Sequence, residues 1–147
     1  MAEGRDGYWE SRVVPDEEAI AECNLTCKKN IIICEENINN MNIALSNYDA
    51  IVTNLVDKNK SVDETVAGLR SAAKELEDSG VNVDLSAVIK DYDNVKESND
   101  ALILEYRDKI EVTEKKLDEE KRILDNERAA QRACSGKTKT IQVWVSM

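Results

Sequence analysis

Histidine and phenylalanine are absent from this chain of 147 residues, and aromatic residues make up only 4% of it. The missing histidine removes the commonest general base and a leading metal ligand. The shortage of large side chains argues against a compact globular core, which at this length would draw on more aromatics. Long apolar runs are lacking too. Runs such as Ile31–Cys34 and Ile141–Val145 (interrupted by Gln142) fall far short of a bilayer span. The opening Met1-Ala2-Glu3-Gly4-Arg5-Asp6 has no apolar signal-peptide core. The expected address is therefore cytoplasmic or nuclear, or a virion if the protein is viral. Asn24-Leu25-Thr26 and Asn59-Lys60-Ser61 match the glycosylation triplet, and without an export signal both read as coincidence.

Positive charge is also in deficit. The formal net charge is −10, with 30 acidic against 20 basic residues. Only residues 105–147 are close to balance. No nucleic acid is expected as a partner, and attraction to anionic lipid is disfavoured for the same reason. The acidity favours solubility or a basic protein partner.

What the chain has in abundance is a seven-residue rhythm. From Ile20 to Leu76 one set of positions holds Ile20, Cys27, Cys34, Met41, Tyr48, Leu55, Val62, Leu69 and Leu76. The interleaved set holds Asn24, Ile31, Ile38, Leu45, Val52, Asn59, Val66 and Ala73. Only Asn24 and Asn59 are polar among these 17 positions, and the 3-4 spacing places all of them on one helical seam. Pro15 followed by Asp16, Glu17 and Glu18 marks the helix start. Asp57–Ser61 is its one weak point: Asn59 sits on the seam, and Ser61 with Glu64 resembles a capping box. The helix is either continuous to about residue 79 or broken near 58–61, and unbroken heptad phase favours continuity. Asn59 itself reads as the mark of that weak point rather than as a register key.

Asp78-Ser79-Gly80 signals a helix stop, and Asp84 a new cap. A second helix carries Leu85, Val88, Tyr92, Val95, Asn99, Leu102 and Tyr106. The spacing then slips to Ile110, Thr113, Leu117 and Leu124, an inserted four that would unwind a supercoil locally. Two long helices with a short connection must fold back on each other. A turn centred on Val81–Asn82 would set residues whose numbers sum to about 163 side by side, with Cys134 level with residue 29. The predicted fold is an all-α, long antiparallel helical hairpin of coiled-coil type over residues 16–135. A 1–15 arm and a 136–147 tail flank it.

Both flanks have strand character. Tyr8–Val14 is rich in residues suited to extended structure, and Ile141, Val143, Val145 and Met147 alternate with Gln142, Trp144 and Ser146. The two segments would form a small sheet together or add to a partner's sheet edge. Because an isolated two-stranded ribbon is marginal in water, pairing with another chain is favoured. The partner-binding residues expected are Tyr8, Trp9, Val13, Ile141, Val143, Trp144 and Val145.

Four cysteines, Cys23, Cys27, Cys34 and Cys134, remain. Cys27 and Cys34 fall on the seam, where a reduced thiol packs as a small hydrophobe. A disulfide from Cys134 to Cys27 or Cys34 is the alternative. A metal is disfavoured because paired Cys-x-x-Cys spacings are missing. Ser135-Gly136-Lys137-Thr138 resembles the end of a phosphate-binding loop. It lacks the earlier glycine, and its strand and helix come in the wrong order, so it reads as a flexible basic hinge. The acidic clusters match no calcium loop and read as solvated faces. No cofactor, catalytic residue, metal ligand or small-molecule substrate is expected. The pattern suits a non-enzymatic structural protein that links subunits of a large assembly, such as a minor capsid protein. A regulatory or chaperone-like adaptor that binds a partner helix is the alternative.

Overall fold

The computed structural model describes residues 6–147. In chain order these form β1 (Gly7–Pro15), α1 (Glu17–Asp78), α2 (Ser86–Ala133), a 3-10 turn (Cys134–Gly136) and β2 (Thr138–Ser146). The two long helices pack together as a helical hairpin, and the strands pair antiparallel. The chain divides into two compact units. A strand-bearing unit comprises the chain up to Ile38 together with Asp118–Met147, and a turn-bearing unit comprises Asn39–Leu117.

Helix α1 begins at an aspartate cap. The Asp16 carboxylate accepts the Ala19 N–H at 3.1 Å, its carbonyl accepts Ile20 N–H at 2.9 Å, and Glu17 and Glu18 occupy the first turn. Along α1 the expected seam is the buried one. Cys27, Cys34 and Leu55 are buried and the other seam positions half-buried, except Asn24 and Leu76, which are exposed. The helix runs without interruption through 57–61. Asn59 marks no break there. Its amide donates to Asp100 at 2.8 Å and accepts from Asn99 at 3.0 Å. The polar residues of the two seams therefore meet and satisfy each other across the helix pair.

Helix α1 ends at Gly80, whose φ of +86° is the left-handed conformation that glycine adopts without a Cβ penalty. Gly80 N–H donates to the Glu77 carbonyl at 2.9 Å, and Val81 N–H to that of Leu76 at 2.8 Å. These are the paired closing bonds of a Schellman end, and they satisfy carbonyls the helix leaves free. Helix α2 then starts with Ser86 N–H donating to the Asp84 carboxylate at 2.9 Å. The backbone and hydroxyl of Ser86 hold that carboxyl below the usual aspartate range, with the hydroxyl as the larger cause.

Two expectations for α2 are corrected. The least exposed rows of α2 and the residue before it are Leu85, Tyr92, Asn99, Tyr106 and Thr113, interleaved with Ile89, Lys96, Ile103, Ile110 and Leu117; Ile103 and Leu117 are buried and the others half-buried. Both rows step by seven, so no slip occurs at Tyr106. Val88, Val95 and Leu102 are 41–47% exposed, and their neighbours Ile89, Lys96 and Ile103 take the seam instead. Lys96 fits a seam position because a lysine stem packs along apolar surface while its ammonium reaches out. Here it meets Asp63 at 2.7 Å, and that partner raises the ammonium pKa above its ordinary value. Tyr48 and Tyr106 pack across the same unit with ring centroids 5.8 Å apart.

The second correction is register. The pairs Asn59–Asn99, Asn59–Asp100 and Asp63–Lys96 sum to 158–159, not 163. The non-helical residues between Gly80 and Ser86 advance further per residue than a helix does. The connection therefore reaches back beside α1 before α2 begins, so symmetry about the turn does not hold. On the exposed flank, Glu105–Lys109 and Glu111–Lys115 close at 3.6 and 3.2 Å. Each such pair contributes only about 0.2–0.5 kcal/mol.

Two stability outcomes follow from these contacts. Gly80→Ala forces a Cβ into the left-handed region and should lower unfolding free energy by about 1–2 kcal/mol, measured by thermal or urea melts. Replacing both Asn59 and Asn99 with Leu should raise the melting temperature. The same change should broaden the register, read as additional products when engineered cysteine pairs are crosslinked across the helices.

Candidate interaction site and sulfur cluster

The ribbon contains every residue expected to bind a partner, and its strands satisfy each other rather than another chain. Register runs from Pro15↔Thr138 at the helical base to Gly7↔Ser146 at the far end. Directly opposed residues share a face. Trp9, Ser11 and Val13 oppose Trp144, Gln142 and Thr140 on one face, while Tyr8, Glu10 and Arg12 oppose Val145, Val143 and Ile141 on the other. The seven expected residues are thus divided between two faces.

The tryptophan face is the more exposed. Trp9 and Trp144 meet edge to face at 5.4 Å, a favoured aromatic geometry. A Cβ on Gly7 would collide with the Val145 carbonyl and come within 2.7 Å of the Trp144 ring. The ring therefore lies across the glycine. This leaves Trp144 37% exposed, whereas Trp9 is 64% and Val13 70% exposed. Gln142 donates to Ser11 at 2.7 Å across the strands on the same face. On the opposite face Tyr8 is 49% exposed, and Ile141, Val143 and Val145 are half-buried.

The base of the ribbon is tied down. Asp16 N–H donates to the Lys137 carbonyl at 3.0 Å, joining the start of α1 to the approach to β2. The Ser135–Thr138 segment is therefore a bonded corner and not a free hinge. Beneath it Cys134, with no exposed surface, forms a disulfide with Cys23, their Cα atoms 5.7 Å apart. Cys27 and Cys34 are free and buried, in line with the reduced packing expected of seam cysteines, whereas Cys134 takes the alternative, a disulfide to α1, with Cys23 as the partner in place of Cys27 or Cys34. In this unit Asn30 donates to Glu127 at 3.3 Å, a pair that sums to 157 as Cys23–Cys134 does. A register six lower than expected brings Cys134 beside Cys23 and no longer beside residue 29.

Cys27 nevertheless stays close. Its sulfur and those of Cys23 and Cys134 all lie within 4.8 Å of one another. Cys23 and Cys27 border an open hollow of about 380 Å³ that is also lined by Ala19, Glu22, Thr26 and Lys137. Cys23 lies off the heptad seam, so the pattern does not single it out as the partner of Cys134. The available signal was its position one helical turn before Cys27, which makes the two interchangeable within one turn of register error. Cys34 is a separate case. Burial pushes its thiol pKa up, and the Glu120 carboxylate adds to this by its charge and as hydrogen-bond acceptor, with a smaller effect from Glu127. At neutral pH the Cys34 thiol stays protonated and serves packing.

No family model, curated protein or solved structure matches the chain.

The cysteines give two checks. In Cys23→Ser, the disulfide should re-form between Cys134 and Cys27, detected by peptide mapping of the non-reduced protein. Cys27→Ser should leave Cys23–Cys134 in place. Alkylation of Cys34 should be slow at neutral pH and rise only in alkali. Glu120→Gln, by removing a negative neighbour and acceptor, should move that profile to lower pH.

Proposed function

We propose that the protein is a non-enzymatic structural subunit that links or cements other protein subunits in a large macromolecular assembly, such as a minor capsid protein of a virus particle. The observation that supports this reading is the anchored ribbon. Two-stranded ribbons are marginal when isolated. This one is tied to the helices at its base by the Cys23–Cys134 disulfide and the Asp16–Lys137 bond. It presents Trp9, Val13 and Tyr8 to solvent, and aromatic anchors carry much of the energy of protein interfaces. The sheet has two strands, so each has one edge unpaired among the described residues, and such edges accept further strands.

The disulfide bears on location. Bonds of this kind persist in oxidising compartments or in particles oxidised after assembly, and are rare in reduced cytosol. Among the described residues no helix is long and apolar enough to cross a membrane. A virion, or another particle that matures by oxidation, accommodates both facts.

A second reading is a regulatory adaptor. Val88, Val95 and Leu102 form an exposed apolar row with heptad spacing on α2, next to a hollow lined by Val88, Asp91, Tyr92 and Val95. That row suits a partner helix.

Sedimentation of the untagged protein from its native source, read by mass spectrometry, separates the two. A structural subunit travels with a megadalton particle at fixed stoichiometry. Trp9→Ala should then reduce incorporation about tenfold or more, the effect of losing an interface anchor, while circular dichroism and the disulfide are unchanged. A protein that stays small and soluble, and loses its main contact on Val95→Asp but not on Trp9→Ala, is the adaptor.

A further inference from the structure

Three sulfurs gathered at one point, with only two of them bonded, offer more than a crosslink. The disulfide holds Cys23 to Cys134, and the Cys27 sulfur is within 4.8 Å of both. Cys23 and Cys27 stand one turn apart on α1, while Cys134 enters from the 3-10 turn after α2. The three donors thus come from two elements and converge, as ligands of a bound cation do. Tetrahedral zinc–thiolate coordination, with bonds of about 2.3 Å, sets sulfurs roughly 3.8 Å apart. The Cys27 sulfur, within 4.8 Å of the other two, is already near that separation, and opening the disulfide frees the Cys23 and Cys134 sulfurs to move apart. Cys27 and Cys134 are buried and Cys23 half-buried, so water is largely excluded from the sulfur side. The open hollow beside them leaves a fourth position for a water molecule, and Lys137 on its wall offsets the negative charge of three thiolates. Cys34 lies outside the group.

We propose that the reduced protein binds zinc through Cys23, Cys27 and Cys134, with water as the fourth ligand. The same sulfurs then close the strand-bearing unit in two chemical states, by a disulfide under oxidising conditions and by a metal under reducing ones. The exchange balances with a dithiol or phosphine reductant. The reductant gives up two electrons, and Cys23 and Cys134 each gain one electron and one proton as their S–S bond breaks. Zinc then forms three Zn–S bonds and releases three thiol protons, which leaves a complex of charge −1. Soft thiolate donors favour zinc or copper(I) over harder cations, and three donors from two elements tie those elements together. This inference is independent of the assembly role proposed above.

Cobalt(II), a spectroscopic stand-in for zinc, tests the site on the full chain, reduced under anaerobic conditions and freed of reductant. One Co²⁺ per chain should bind, with sulfur-to-metal charge-transfer absorption and the visible bands of a tetrahedral site, and Zn²⁺ should bleach both. Cys27→Ser should weaken binding beyond the roughly 10–100-fold that loss of an outer-sphere partner costs, while Cys34→Ser binds as the wild type does. The oxidised wild type, which needs no substitution and keeps its fold, should show no charge-transfer band. Three results would overturn the site: no band in the reduced protein, an equal band in the oxidised protein, or a reduced-protein band untouched by Cys27→Ser.

Discussion

Apolar rows spaced three and four residues apart hold α1 against α2, and the rest of the molecule answers to that contact. The seam is narrow. Few side chains are buried, and in the strand-bearing unit three of them are cysteines, Cys27, Cys34 and Cys134. Medium-sized side chains suffice because each fills a hole on the facing helix and no wide interior needs filling. The absence of phenylalanine and the large charged fraction follow from this geometry, since most of each helix's circumference faces water. A continuous apolar stripe is, however, indifferent to sliding. In the turn-bearing unit the alignment is held by polar groups, Asn59 against Asn99 and Asp100, and Lys96 against Asp63. Polar seam pairs of this kind are less favourable than leucine in the same place, but they penalise any register that leaves them unmatched.

How far the fold is legible depends on how unambiguous each stripe is. Helix α1 is readable because 15 of its 17 seam positions are apolar and their flanks mostly polar. Helix α2 misleads because valine or leucine immediately precedes the true seam residue three times, at Val88–Ile89, Val95–Lys96 and Leu102–Ile103. With lysine on the seam at 96, polarity points to the wrong row, and the apparent slip at Tyr106 is the penalty for choosing it. Only the facing helix decides, through Asp63 and the packing of Ile103. The strands are legible from their alternation and from Pro15. Their choice of each other is not, because it depends on which residues the helices bring together. The disulfide partner fails for the same reason. A six-residue change in register exchanges Cys23 for the neighbourhood of residue 29, and no local pattern distinguishes the two.

Closure of the strand-bearing unit illustrates how helix pairing changes the cost of distant contacts. Cys23 and Cys134 are separated by 111 residues. In a free chain a loop of about 100 residues costs some 4–5 kcal/mol in entropy to close. Once the start of α1 packs beside the end of α2, most of that cost has been met by the seam. The disulfide and the Asp16–Lys137 bond then fix a juxtaposition already made. From that fixed corner the ribbon can form pair by pair, beginning at Pro15↔Thr138.

That order places the ribbon's aromatic pair where it is least supported by the helices. Trp9↔Trp144 lies six residue pairs from Pro15↔Thr138, roughly 20 Å along an extended strand. No third strand pairs with either edge of the ribbon among the described residues. A two-stranded element so far from its anchor gains little from the helix seam. Its own cross-strand contacts, the tryptophan pair and the Gln142–Ser11 bond, supply what local stability it has. Sequence that served stability alone would favour a shorter ribbon with polar ends. Two tryptophans at the far end, one with most of its surface exposed, place a costly apolar group where only a second surface can cover it. The ribbon thus has a covalently fixed base and an exposed aromatic tip. Under the linking role proposed above, the base would resist the load that a bound partner puts on the ribbon, and the tip would be where that partner binds.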